Sequence, residues 1–176
     1  MALQSFHMVQ SACDVDECTF ESGACSWTAT PSRTFQVTRA RYTENPLGGD
    51  HTSGSPSGKV MYFSGKSNTT VSGNVQAQLT SRSLSNLRWQ CFSFWYLLKA
   101  GNSSTSSPLS LKLFTVQSLN KIRSLLWTSS SSSSSLATLD PTGEWTRALV
   151  SVNIRGGMNL DFEVNANGKF VGRFVF

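Results

Sequence analysis

A chain of 176 residues with 39% hydrophobic and 11% aromatic content is long enough for one substantial core and too short for two ordinary domains. Only 14% of its residues are charged while Ser, Thr and Gly abound, which excludes an architecture of long Glu-, Lys- and Ala-rich helices and favours short strands joined by turns. The formal charge of +5 comes from 15 basic and 10 acidic residues; Arg33, Arg39, Arg41, Arg82, Arg88, Lys112 and Arg123 are scattered, which argues against nucleic acid, whose phosphates need a concentrated patch, and leaves heparin-like polyanions open.

Residues 1–17 read as an N-terminal extension or the stub of a preceding segment. Gln4, Ser5, His7, Gln10 and Ser11 interrupt any apolar run of the kind a secretory signal needs. No stretch of about 18 consecutive apolar residues follows, so the expected attachment to a membrane is only through a parent chain. Asp14, Asp16 and Glu17 form a short acidic run ahead of Cys18, Cys25 and Trp27.

Turn-forming Gly, Pro, Ser and Asn then punctuate the chain at 45–58, 64–74, 102–108 and 165–168, the last predicting a tight hairpin. Between them, Val75, Ala77 and Leu79 alternate with Gln76 and Gln78, and Leu109, Leu111 and Leu113 alternate with Ser110 and Lys112, the period of half-buried strands. The stretch from Trp89 to Leu98 differs, with Phe92, Phe94, Tyr96 and Leu98 on one face and Cys91, Trp95 and Leu97 on the other. A strand apolar on both faces is expected to be central. Seven serines, Ser129 to Ser135, have nothing to bury and predict a mobile loop. Ala148, Val150, Val152 and Ile154 face away from Arg147, Leu149, Ser151 and Asn153, and Leu160, Phe162 and Val164 away from Asp161 and Glu163. No segment shows a comparable helical period.

Four cysteines, Cys13, Cys18, Cys25 and Cys91, accompany two glycosylation acceptors, Asn68-Thr-Thr70 and Asn102-Ser-Ser104. Together they favour an oxidising, secretory setting and an extracellular protein. Zinc is the rival reading of the cysteines, but their spacing lacks a matching Cys or His pair.

Cys18-Thr-Phe-Glu-Ser-Gly-Ala-Cys25-Ser-Trp27, Gly49-Asp-His-Thr52, Gly58-Lys-Val-Met-Tyr-Phe-Ser64, Ala77-Gln-Leu-Thr-Ser81, Cys91-Phe-Ser-Phe-Trp-Tyr96, Leu125-Leu-Trp127 and Gly143-x-Trp145 occur in this order. The series, over roughly residues 18 to 172, resembles the MAM domain of meprins, neuropilins and receptor tyrosine phosphatases. The resemblance implies an all-β, jelly-roll-like, two-sheet antiparallel sandwich over residues 18–176. It also implies a Cys18 to Cys25 bridge, a stabilising loop closure. In that family the cysteine of Cys-x-Ser-Phe-Trp-Tyr pairs with one beyond a final strand. Here Arg173-Phe-Val-Phe176 follows Gly172, so that strand and cysteine are absent and a C-terminally truncated domain with an exposed sheet edge is expected. Cys91 then pairs with Cys13, stays a thiol or reaches another chain.

The resemblance also makes Glu21 and Asp50 candidate calcium ligands, although two carboxylates are few for a calcium site. No other cofactor is expected. The chain has only His7 and His51, Gly54-Ser-Pro-Ser-Gly58 places proline where a nucleophile elbow needs serine, and no catalytic residues are assigned. Of the aromatic residues, Trp95 and Trp145 are expected in the core, leaving Tyr42 or Trp89 for a ligand face. The leading functional reading is a non-catalytic interaction or adhesion module of a larger secreted or membrane-anchored protein, binding proteins or itself. The alternatives are an accessory domain of a secreted metalloprotease and a glycan-binding sandwich.

Overall fold

The computed structural model describes residues 18–31, 35–43, 48–64, 75–84, 88–100, 109–129, 145–166 and 172–175. Residues 1–17 with Cys13, both sequon asparagines Asn68 and Asn102, and the serine tract beyond Ser129 lie outside the described residues.

The strands are β1 (Thr28–Thr30), β2 (Phe35–Arg39), β3 (Lys59–Ser64), β4 (Val75–Thr80), β5 (Arg88–Ala100), β6 (Leu109–Gln117), β7 (Arg123–Thr128), β8 (Thr146–Ile154), β9 (Met158–Ala166) and β10 (Gly172–Val175). Among the described residues they form two five-stranded sheets, ordered β1-β4-β9-β6-β7 and β2-β3-β10-β5-β8. Every pairing is antiparallel. This is the all-β sandwich that the alternation demands: a sheet with one apolar face must bury it against a second.

The inward sets match the sequence pattern. Ala77 and Leu79 of β4, Leu111 and Leu113 of β6, Ala148, Val150, Val152 and Ile154 of β8, and Leu160, Phe162 and Val164 of β9 are all buried in one cluster. Those of β4, β6 and β9 come from the first sheet, and the β8 residues with Phe35, Met61, Phe63 and Phe94 supply the facing layer from the second. Each of these side chains other than the alanines contributes about 1.5–3 kcal/mol on burial.

The hairpin expected at 165–168 is not formed by the strands on either side of it, because β9 pairs with β4 and β6 of the first sheet whereas β10 pairs with β3 and β5 of the second. β10 is an inner strand. Residues 172–175 lie between β3 and β5, with Phe174 opposite Phe63 on one side and Leu98 on the other. Their backbone supplies the ladder bonds the two neighbours would otherwise lack.

Cys18 and Cys25 are joined, closing a loop of sequence separation 7. Phe20 within this loop is buried, and Trp27 at its exit packs on Phe92 and Phe162, with ring centroids 6.3 Å and 5.6 Å away. Trp27 is thus partly buried against the core. Loop-closure entropy for so short a ring is about 2.5 kcal/mol. The double variant Cys18→Ser/Cys25→Ser should therefore lose about 2–3 kcal/mol, read as a lowered urea midpoint with an unchanged slope. A loss below about 0.5 kcal/mol would mean that Phe20 and Trp27 alone hold the loop.

Candidate interaction face on the second sheet

The outer surface of the second sheet is covered on one side by residues 48–58 and open on the other. Asp50 organises the cover: its Oδ2 accepts from the Ser53 N–H at 2.8 Å, and its Oδ1 accepts from Ser53 Oγ–H at 2.6 Å and the Ser55 N–H at 2.9 Å. Burial alone would push this carboxyl up, but those hydrogen bonds outweigh it and hold its pKa below the ordinary 3.8. Gly58 is required here because a Cβ would strike the Asp50 carboxylate, and Gly49 because a Cβ would strike the Gly54 carbonyl. The loop is bonded to the 3-10 turn Ala40–Tyr42, the Ala40 N–H donating to Gly58 O at 2.8 Å and the Arg41 N–H to Pro56 O at 3.0 Å. Beneath it Ala40, Val60 and Leu97 are buried, with Tyr62 and Trp145 packed against them.

This arrangement presents a group of aromatic and cationic side chains. The His51 ring stacks on Trp95 with centroids 3.9 Å apart and 22° between planes, and meets the Trp145 ring nearly edge-on at 5.8 Å. Burial in this stack pushes the His51 pKa down, the negative charge of Asp50 working against it. The register sets Trp95 opposite Arg147 and Ser93 opposite Leu149, and the Arg147 guanidinium lies 6.0 Å from the Trp95 ring centroid. Trp95 is 37% exposed and Leu149 50%. On the 3-10 turn Tyr42 is 65% exposed, with the Arg41 guanidinium 5.0 Å from its ring centroid. Since β8 is an edge strand, this stripe runs to the rim of the sheet.

The sequence placed Trp95 in the core, and the structure corrects this. β5 buries Phe92, Phe94 and Tyr96 towards the first sheet, so the alternate side chains Cys91, Ser93 and Trp95 must point outward. Leu97 on that face is buried in the covered zone. Tyr42 is exposed, and the Trp89 side chain lies outside the described residues. Cys91 is exposed on β5, while its alternative partner Cys13 lies outside the described residues.

Glu21 and Asp50 sit on either side of the start of β3. Glu21 Oε1 accepts from the Lys59 N–H at 2.7 Å and Lys59 Nζ donates to Glu21 O at 2.6 Å, while Asp50 packs against neighbouring Gly58. Their carboxylates are thus engaged by protein donors. Among the described residues no group of three or more His, Cys, Asp or Glu side chains converges on a point. A second polar group, unforeseen from sequence, lies on the outer face of the first sheet. Arg123 of β7 reaches over β6, its guanidinium 3.9 Å from the Phe114 ring centroid, to bond Asp161 Oδ2 at 2.9 Å and also Glu163.

Among solved structures, the chain is similar to the K1 cleaved adhesin domain of Lys-gingipain from Porphyromonas gingivalis W83, with a TM-score of 0.57 and 12% identity over 89% of this chain and 91% of that one. The K3 cleaved adhesin domain of the same protein aligns with a TM-score of 0.52 and 15% identity over 89% and 92%. A carbohydrate-binding module, TmCBM61 in complex with β-1,4-galactotriose, aligns at 0.49 and 12% over 89% of each chain. At such identities these likenesses concern the sandwich fold. The family comparison reaches further, because the model of the MAM domain, meprin/A5/mu, matches residues 18–174. With the Cys18 to Cys25 loop, the two antiparallel sheets and nearly the whole chain accounted for, the protein belongs to the MAM domain family.

Proposed function

We propose that this MAM domain is a non-catalytic extracellular interaction module, and that it binds a protein partner or a second copy through the outer face of β5 and β8. The observation that carries the reading is the exposure of Trp95 beside Arg147 and Leu149, at the rim of a sheet, on a rigid backbone. Trp and Arg are the residue types most enriched where protein interfaces concentrate their binding energy, and an indole locked by a stacked neighbour loses little rotamer freedom on binding. His51 supports the non-catalytic reading because its ring is taken up by the stack on Trp95, and Asp50 is saturated by loop donors.

The test compares the secreted domain with Trp95→Ala and Leu149→Ser in bead aggregation and in binding to cell surfaces, with a glycan array alongside. Loss of Trp95 should weaken association about 30-fold, corresponding to about 2 kcal/mol, while the melting temperature stays within a few degrees. Unchanged association in both variants would remove this face from the reading. Array binding lost with Trp95 would replace the protein partner with a glycan.

A further inference from the structure

One end of the sandwich, where β4, β6 and β8 finish and β7 and β9 begin, carries a feature that the proposed interaction face does not use. The hairpin joining β6 to β7 is a tight turn in which the Lys121 N–H donates to Gln117 O at 2.9 Å and the Gln117 N–H to Ile122 O at 3.0 Å, with Lys121 at φ 58°. It lifts Leu119 to 97% exposure and Ile122 to 54%. A surface that takes up both aliphatic side chains at this tip gains their transfer energy.

The tip is built rigidly. The Ser118 N–H donates to Gly157 O at 2.7 Å, and Ser118 Oγ–H to Asn159 Oδ1 at 2.8 Å. The same Asn159 donates from Nδ2 to Ser81 O at 2.8 Å, and the Leu84 N–H donates to Met158 O at 2.7 Å. Three loops are thereby held together. Around the two aliphatic residues they present Lys121 and Arg155, both exposed, with Arg82 exposed on the third loop. Among the described residues of 81–84, 117–122 and 155–157 there is no Asp or Glu.

We infer that this end docks on an anionic phospholipid surface, with Leu119 and Ile122 entering the boundary between headgroups and acyl chains and Lys121 and Arg155 meeting the anionic headgroups. Apolar residues within a cationic rim are complementary to that boundary, which offers hydrocarbon and negative charge within a few ångströms. A soluble sulfated polyanion would satisfy the cations but give Leu119 nothing to bury against. That difference makes the lipid surface the better fit.

The experiment is co-sedimentation of the folded domain with phosphatidylcholine vesicles and with vesicles carrying about a quarter phosphatidylserine, at low and physiological salt, with a heparin column in parallel. Binding is expected to the phosphatidylserine vesicles only, and to weaken with salt. Leu119→Ser/Ile122→Ser should lower partitioning about 10-fold or more. Lys121→Asn/Arg155→Gln should lower it about 25-fold, about 5-fold per cation, Asn being chosen because it tolerates positive φ. All four side chains are exposed, so melting temperatures should hold, and Trp95→Ala should sediment as wild type. No binding to phosphatidylserine vesicles, or binding that ignores Leu119 and Ile122, overturns the inference. Heparin retention without vesicle binding also overturns it and makes the end a polyanion site.

Discussion

Replacing Phe162 with alanine is expected to lower stability by about 4 kcal/mol. Phe162 is buried at the centre of β9, which is itself flanked by β4 and β6. Its ring meets Phe94 at 4.9 Å in an edge-to-face arrangement, Trp27 at 5.6 Å and Phe92 at 6.1 Å. Truncation removes the transfer energy of the ring and leaves a cavity that two hydrogen-bonded sheets cannot collapse around. The edge-to-face contact with Phe94 adds about 0.5–1.5 kcal/mol beyond buried area. For a domain whose total stability lies in the ordinary range of about 5–15 kcal/mol, the variant will be near its threshold at 37 °C. Phe162→Leu should lose less than half as much, and urea titration of both variants decides the matter. Equal losses would mean that refilling the volume recovers nothing and that the ring's shape and aromatic contacts carry the whole effect.

Arg123→Ala is the second large effect, expected at about 2–3 kcal/mol near neutral pH. Its side chain is 31% exposed, so the full penalty of breaking a buried pair does not apply, but Asp161 and Glu163 are only 4% and 5% exposed. Burial pushes the Asp161 carboxyl above its ordinary 3.8, opposed by the Thr80 hydroxyl, which donates at 2.9 Å, and by Arg123, while the charge of Glu163 pushes it further up. A carboxyl whose folded pKa exceeds its unfolded value holds a proton more tightly when folded. Its ionisation therefore works against the fold above that folded pKa, and the effect fades as pH falls through it. Removing the guanidinium raises the folded value again. The loss in Arg123→Ala should thus be greatest at neutral pH and shrink on acidification towards the ordinary carboxylate range. Adding Asp161→Asn and Glu163→Gln to that variant should recover part of the stability and flatten its pH dependence. A loss of the same size at every pH would assign Arg123's contribution to its packing on Phe114 instead.

The strands with period-two alternation, β4, β6, β8 and β9, were legible in the sequence because burial on one face leaves the pattern in the residues themselves. The disulfide loop and sandwich class were legible through the motif series. Partners distant along the chain were not. Asp161 and Glu163 alternate with Leu160, Phe162 and Val164 as solvent-facing residues should, yet they are buried because Arg123 lies across them. Trp95 reads as core by its type, but its direction follows from Phe94 and Tyr96 pointing the other way. Leu119 and Ile122 carry no mark of exposure in the sequence, because it is the hairpin geometry that lifts them out.

The placement of residues 172–175 between β3 and β5 bears on how the protein is made. A ribosome releases β3 and β5 long before the segment that must slide between them. Until then the ladder bonds that β10 supplies to both neighbours cannot form, and joining the β2-β3 pair to the β5-β8 pair is a long-range closure, the kind of pairing that slows folding.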